Sequence, residues 1–409
     1  MTKGALHNFR VIDLSSYIAG PFCARLFGDY GADVVKVEHP GAGDMARSFG
    51  PFFKDDPHPE KSLLFLYLNY NKRGITLNLN NSSGRKLFKE LIKSADVLIE
   101  DFDPGYLEER GLGYGSLAAV NPELVMTSIT PFGQTGPYKN YPGSHIVYEA
   151  LGGVMYTSGA SDRAPLAHGH PQSLYIGGVS ASHSTSAALF ARNQIGCGQH
   201  VDVSLTEVVA AHHTGPTTRY AYTGEIERRA PHNEAGSAKG GAHFEGVIPV
   251  KDGFVGATFQ RGAGRRGTLA DYLRLVGRPD LLEPEYEESL PAGRLTDEQD
   301  QLLLSVLKDW GKYEYFTTAA SESWVAAVVQ NSGDLANNPH LHERGFYTEM
   351  KHPIVGKIQI PGEIFRLPES SFKLRYPTPL LGEHNIEMYC GDLGYSREDL
   401  VRLHQLGAV

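Results

Sequence analysis

Two short apolar runs near the start of the chain, RVIDL (10–14) and ADVVKVE (32–38), bracket a segment with the marks of a single helix. Pro21 suits the first helical turn, where its missing N–H is not needed, and Gly31 can end the helix in a left-handed conformation. Between them, Phe22, Leu26 and Phe27 fall on one side. Strand, helix, strand in so few residues predicts a parallel βαβ unit, whose crossover is right-handed because both strand and helix twist that way. A parallel pair cannot stand alone in water, so this opening commits the chain to a sheet covered by helices.

The alternation continues. GITLNLN (74–80) is strand-like, Ser82 or Ser83 can cap the helix GRKLFKELIKSA, and DVLIE (96–100) and LVMTSIT (124–130) supply further strands between Gly- and Pro-rich turns. The fold class is therefore α/β, with a Rossmann-like open parallel sheet and helices on both faces. No G-x-G-x-x-G follows the first strand, and the Gly111–Gly113 pair lies in a loop, so no nicotinamide or flavin cofactor is expected.

At 409 residues the chain is too long for one core. The pattern changes after about residue 215. Residues 224–245 are polar and Gly-rich, PVKDGFVGATF (249–259) reads as a hairpin turning at Asp252–Gly253, and helical stretches follow at 267–277 and 297–313. We expect a large domain over 1–224, a smaller α+β domain over 225–330, and a return segment, 331–409, that completes the large domain and ends in a helix near REDLVRLHQLG.

A net charge of -9 argues against a phosphate-backbone partner, so no nucleic acid is expected. No apolar run is long enough to span a membrane, and no apolar segment follows the N-terminal residues as in a secretory leader. Three scattered cysteines (Cys23, Cys197, Cys390) make neither a disulfide framework nor a zinc spacing, which points to a reducing, cytoplasmic setting. His212–His213 is the one adjacent histidine pair and lacks ligand spacing, so no metal is expected.

Seven strings, in order from residue 8 to about 385, carry a resemblance: VIDLSSYIAGPFCARLFGDYGADVVKVEHPGAGD, NYNKRGITLNL, IEDFDPGYLEERGLGYGSL, SITPFGQTGPY, GCGQHVDVSL, NNPHLHERGFY and TPLLGEHN. Together they resemble the class III coenzyme A-transferases, the formyl-CoA and carnitine-CoA transferase-like family, and the chain is similar to one subunit of a succinyl-CoA-dependent benzylsuccinate transferase. The resemblance implies an interlocked dimer of ring-shaped chains. It also implies a coenzyme A thioester as substrate, attacked by an aspartate to give a mixed anhydride. A carboxylate suits that step because it is ionised at neutral pH and its anhydride stays reactive.

Aligned without a gap from Ala187–Ala188–Leu189, the position of that aspartate holds Leu174, and HGHPQSLYIGG around it contains no acid. Asp162 upstream sits in the SGASDRAP turn, where the family has an acidic turn residue of its own. A local gap, or Ser173 as substitute, is the alternative. The residues that the resemblance assigns to the coenzyme pocket also depart: His39 stands for Arg, Asp101 for Asn, and Glu109 for Arg, with Arg110 one position late. Like charges about 4 Å apart repel by about 4 kcal/mol at an effective dielectric of about 20, so Asp101 and Glu109 oppose phosphate binding. Lys72 and Arg73 of NKRG remain as cofactor-binding candidates, or are two solvated basic residues at a strand entry. The racemase branch needs a His-Asp pair where this chain has Gly143–Ser144–His145, so His145 reads as a structural histidine.

The expectation is a non-catalytic subunit of a heteromeric transferase moving coenzyme A from succinyl-CoA to an organic acid, in first place an aromatic one such as benzylsuccinate, beside a homologous chain that carries the aspartate as heterodimer or heterotetramer. The Gly236–Gly241 loop (GSAKGG) could close over the partner's thioester or be a plain linker. A self-sufficient homodimeric transferase or isomerase using Glu149 or Ser173, and a CoA-ester binding protein, are the alternatives.

Overall fold

The computed structural model describes residues 4–229, 246–262, 265–282 and 297–409. The opening unit is β1 (Arg10–Asp13), α1 (Ala19–Asp29) and β2 (Asp33–Glu38), with β1 and β2 parallel. Pro21 lies in the first turn of α1, and Gly31 follows the helix at φ 108, a backbone open mainly to glycine. There follow α2 (Leu63–Asn69), β3 (Lys72–Thr76), α3 (Ser82–Ile92), β4 (Val97–Glu100), the short α4 (Tyr106–Glu109) and α5 (Tyr114–Ala118), β5 (Val125–Thr130), α6 (His145–Leu151), α7 (Val154–Thr157), α8 (Gln172–Ile195), β6 (His200–Ser204) and α9 (Leu205–His212). The side chain that caps α3 belongs to Asn81, which accepts from Ser83 N, so the cap precedes both expected serines.

The six strands form one parallel sheet in the order β3-β2-β1-β4-β5-β6, reversing direction of growth between β1 and β4. Alternation along the strands gives each face its own helices. Ile12, Leu14, Val35, Val37, Leu98 and Met126 pack with Leu87, Phe88 and Leu91 of α3. The opposite face meets α1 and α8. These helices come close because Gly178 has no side chain: a Cβ there would lie 2.6 Å from Ala19 O.

The chain divides into two compact units, one of residues 1–153, 168–214 and 340–409, the other of 154–167 and 215–339. The boundaries thus fall about ten residues from those expected, and 154–167 joins the smaller unit. In the larger unit, the N–H groups of Gly74 and Thr76 on edge strand β3 are taken by His384 Nδ1 (3.1 Å) and Asn385 Oδ1 (2.9 Å), and Tyr389 is buried among the residues of the α3 face. This covers an edge that would otherwise offer unpaired backbone. The smaller unit has an antiparallel sheet, β7 (Gly246–Val250), β8 (Gly253–Arg261), β9 (Arg265–Arg266) and β10 (Trp324–Val328), against helices Leu269–Leu275, Asp297–Leu307 and Lys312–Ser321. Val250 pairs with Gly253, so its hairpin turns at Lys251–Asp252, one residue earlier than expected. Leu273, Leu303, Tyr315 and Trp324 form that unit's core. Helix Arg397–Gln405, capped by a reciprocal Ser396–Asp399 pair, is the expected final helix.

Candidate functional site

The site is built around the turn that leaves β1 at the reversal of strand order, where doubly wound sheets leave a crevice. Four charged side chains lie beneath it. Lys36 Nζ is 2.6 Å from Asp44 and 3.7 Å from Asp13, and Lys72 Nζ is 2.7 Å from Asp13, all of them fully or almost fully buried. Burial alone would raise the Asp13 carboxyl, but the two ammonium groups and the bonds from Lys72 and Ser15 hold it below the usual range. Asp44 Oδ1 accepts from Tyr17 N (3.0 Å) and from Ser16 Oγ (3.1 Å), and Asp101 accepts from Ser16 N at 3.0 and 2.9 Å. Two carboxyl groups therefore clamp the backbone of one turn.

This changes how the candidate cofactor-binding residues are seen. Lys72 is neither solvated nor turned to a crevice: its ammonium also donates to Pro21 O (2.8 Å) and Asn69 Oδ1 (2.8 Å), and burial pulls it down to about 8. Arg73, equally far from a solvated side chain, pairs with Asp33 (2.6 Å) and Glu387 (2.7 Å). Both cations are spent on the fold. Asp101 lines a crevice of about 220 Å³ with His39, Asn80 and Tyr106. Burial pushes its carboxyl well above the usual range against the two bonds from Ser16 N and the nearby Lys36, with Glu100 and Asp44 adding to the rise. Glu109 is exposed and 3.8 Å from Arg110, whose guanidinium stacks on Tyr106 at 3.6 Å and donates to Asn80. A cation thus stands beside the crevice after all. His39 is exposed, with Nδ1 2.8 Å from Pro40 O.

Leu174 lies in the first turn of α8 and is buried. Around it α6, residue 168 and α8 bring together four polar side chains. His145 Nδ1 is 2.8 Å from Ser173 Oγ, and its Nε2 is 3.2 Å from His168 O and 3.8 Å from Glu149. Glu149 accepts from His168 N (2.9 Å) and lies 2.6 Å from His168 Nδ1. Burial raises the Glu149 carboxyl, yet the two His168 bonds and the nearby imidazoles outweigh it and keep it ionised below the usual range. Ser173 is 1% exposed, so its hydroxyl meets His145 and little else.

At the first turn of α8, lined by Gln172 and Tyr175 but not by Leu174, opens a cavity of about 620 Å³ that also presents the rings of Tyr17, Phe49 and Tyr67. None of these lining residues was singled out from the sequence, nor were Asp13, Lys36, Asp44 and His168. A usable signal existed: Asp13 and Lys36 interrupt otherwise apolar central strands, and buried parallel strands exclude charges that lack partners. Asp162 is an exposed turn residue of the smaller unit. His212 Nδ1 lies 2.7 Å from Val208 O, and no group of three metal-ligating side chains occurs among the described residues. No helix among them is long and apolar enough to cross a membrane. The Gly236–Gly241 loop lies outside the described residues.

Residues 6–385 match the family described as CoA-transferase family III. The chain is 32% identical over 410 residues to the succinyl-CoA:(R)-benzylsuccinate CoA-transferase subunit BbsE of Thauera aromatica, covering 98% of this chain and 97% of that one. It is 33% identical over 406 residues to the succinyl-CoA–L-malate CoA-transferase beta subunit of Chloroflexus aurantiacus, covering 97% and 96%. A CaiB/BaiF family protein from Brucella suis has the same fold, with a TM-score of 0.80 at 27% identity over 95% of this chain and 99% of its own.

Proposed function

We propose, for a chain that belongs to CoA-transferase family III, that it is the subunit without a nucleophile in a heteromeric transferase, moving coenzyme A from succinyl-CoA to an organic acid, in first place an aromatic one. The observation that carries this reading is Leu174, an apolar side chain buried at the start of α8 where the resemblance puts the aspartate. An alkyl group cannot form an acyl anhydride. The two substitutes within reach are engaged: Glu149 by His168, and Ser173 by His145. The catalytic carboxylate then belongs to a homologous partner, which accords with relatives that are themselves named as subunits. Apolar side chains left in solvent on α8, among them Val179 and Phe190, give such a partner a surface to cover. The interlocked arrangement and a reducing cytoplasm, where the three free cysteines are stable, belong to the same reading.

The altered charge pattern no longer contributes as much. With the Arg110 guanidinium held beside the crevice by Asn80, a coenzyme A nucleotide on this chain is not opposed as strongly as the bare sequence implies. The 2.8 Å His145–Ser173 contact is the one observation favouring a self-sufficient enzyme, with His145 as base and Ser173 as nucleophile. Assaying the purified chain alone, and again co-purified with its partner, decides the matter. Transfer from succinyl-CoA is expected only in the co-purified form, unchanged by Ser173→Ala. Transfer by the chain alone would sink the subunit reading.

A further inference from the structure

In the larger unit, β11 (Tyr347–His352) and β12 (Gly356–Pro361) pair antiparallel and form a sheet of their own. A two-stranded ribbon is marginal by itself in water, so its packing and its turn decide whether it stays closed. The packing is against α2. Met350, Val355 and Ile360 are buried with Leu66 and Tyr70, and the Tyr70 hydroxyl donates to Pro361 O at 3.0 Å. The same helix presents Leu63, Leu64 and Tyr67 to the cavity of about 620 Å³. The hairpin therefore backs one wall of that cavity.

The turn is closed by a side chain. His352 is 3% exposed, and its Nδ1 accepts from Ile354 N (3.2 Å) and Val355 N (3.4 Å). Pro353 has no N–H, so these are the first two donors after the strand. A ring nitrogen that accepts carries no proton, which leaves the imidazole neutral with its hydrogen on Nε2. Nε2 is buried, faces the Thr378 backbone and closes no hydrogen bond of ordinary geometry. A second proton can go only to Nδ1, where it meets two N–H groups. Imidazolium and closed turn exclude each other.

The charges around the ring leave it neutral. Burial holds it below its ordinary value; Glu60, Glu383 and the Thr378 backbone act the other way without reversing this, and Arg47 adds to the lowering. Both acids are committed elsewhere, Glu60 to Arg47 (2.6 Å) and Leu381 N (3.1 Å), Glu383 to Leu380 N (2.8 Å). We propose that His352 is an acid-sensitive pin: protonating its ring opens the 353–355 turn, releases the hairpin from α2 and slackens the cavity wall that α2 forms. The device belongs to this chain alone, whichever subunit performs the transfer. A ring held below its ordinary value binds fewer protons in the folded chain than in the unfolded one. Its contribution is complete above about pH 6.5 and is lost as pH falls below that value.

Hydrogen–deuterium exchange of the full chain, read by mass spectrometry at about pH 7.5 and about pH 5.5, tests this, with α3 as internal reference. Rates are corrected for the intrinsic pH dependence of amide exchange. At the lower value, about one unit below the ordinary value of a released imidazole, residues 347–361 should exchange about tenfold faster relative to α3, and residues 63–69 should follow. His352→Asn keeps an acceptor near the place of Nδ1 and takes up no proton, so its hairpin should be equally protected at both pH values. Equal protection in the wild type, or the same acid opening in His352→Asn, would overturn the proposal. Opening confined to the hairpin would break its link to the cavity. Should His352→Asn not fold, the wild type decides: an increase as large in α3 as in the hairpin is general acid loosening and refutes the pin.

Discussion

Carboxyl groups enclosed at the end of a strand report their surroundings through pH. Glu100 ends β4, its side chain almost fully buried, and burial raises it to about 7 against the lowering effect of Ser128 and of the Phe102 N–H. A carboxyl raised on folding binds more protons in the native state than in the unfolded one. Its contribution is complete below about pH 4.5 and is lost as pH rises toward 7. Glu100→Gln removes this dependence. The wild-type chain should therefore lose stability between pH 5 and pH 8 relative to the variant, by an amount on the order of 2–3 kcal/mol, read from urea midpoints at the two values. A variant whose midpoint tracks the wild type at both pH values would contradict the assignment. The same scale shows where sequence reading stops. That Leu174 lacks a carboxylate is legible from one letter. That Lys72 and Arg73 are consumed by Asp13 and Asp33 is not, because these pairings, one reaching past β2 from β3 to β1 and one between the neighbours β3 and β2, depend on strand order and register.

Helix α8 carries Leu174, and its closeness to α1 decides where that side chain sits. Gly178 is the contact that allows this, with Ala19 O and the Phe22 ring occupying the space a side chain would need. Gly178→Ala should push the helices apart and destabilise the chain by about 1–3 kcal/mol, despite the better helix propensity of alanine. A urea midpoint equal to or above that of the wild type would show that the interface can yield. Strands β1, β2, β4 and β5 are legible in the sequence because apolar runs between turn residues have few other solutions. Helix α8 is much less so: its buried face is made largely of Gly, Ala, Ser and Thr, so the usual contrast between apolar and polar sides is weak. The N-cap of α3 is missed for a different reason, since Asn81, Ser82 and Ser83 can all cap and only geometry selects among them.

At the level of the whole chain, Phe190 and Val179 lie about three turns apart on α8, with 69% and 49% of their surface in water. Under the proposed function a partner covers them. Phe190→Asp should abolish co-elution with the partner in size-exclusion chromatography while changing the stability of the isolated chain by no more than about 0.5 kcal/mol. Co-elution at the wild-type ratio would remove this face from the interface. A last consequence concerns biosynthesis. The amides of Gly74 and Thr76 wait for His384 and Asn385, positions 310 and 309 residues downstream. At roughly 5–20 residues per second, a ribosome needs about 15–60 s to deliver them. For that interval the nascent sheet exposes a strand edge able to pair with a neighbouring polypeptide. Crowded polysomes are thus the setting in which this architecture is most exposed to misassembly, and slower translation of the intervening segment would lengthen the danger.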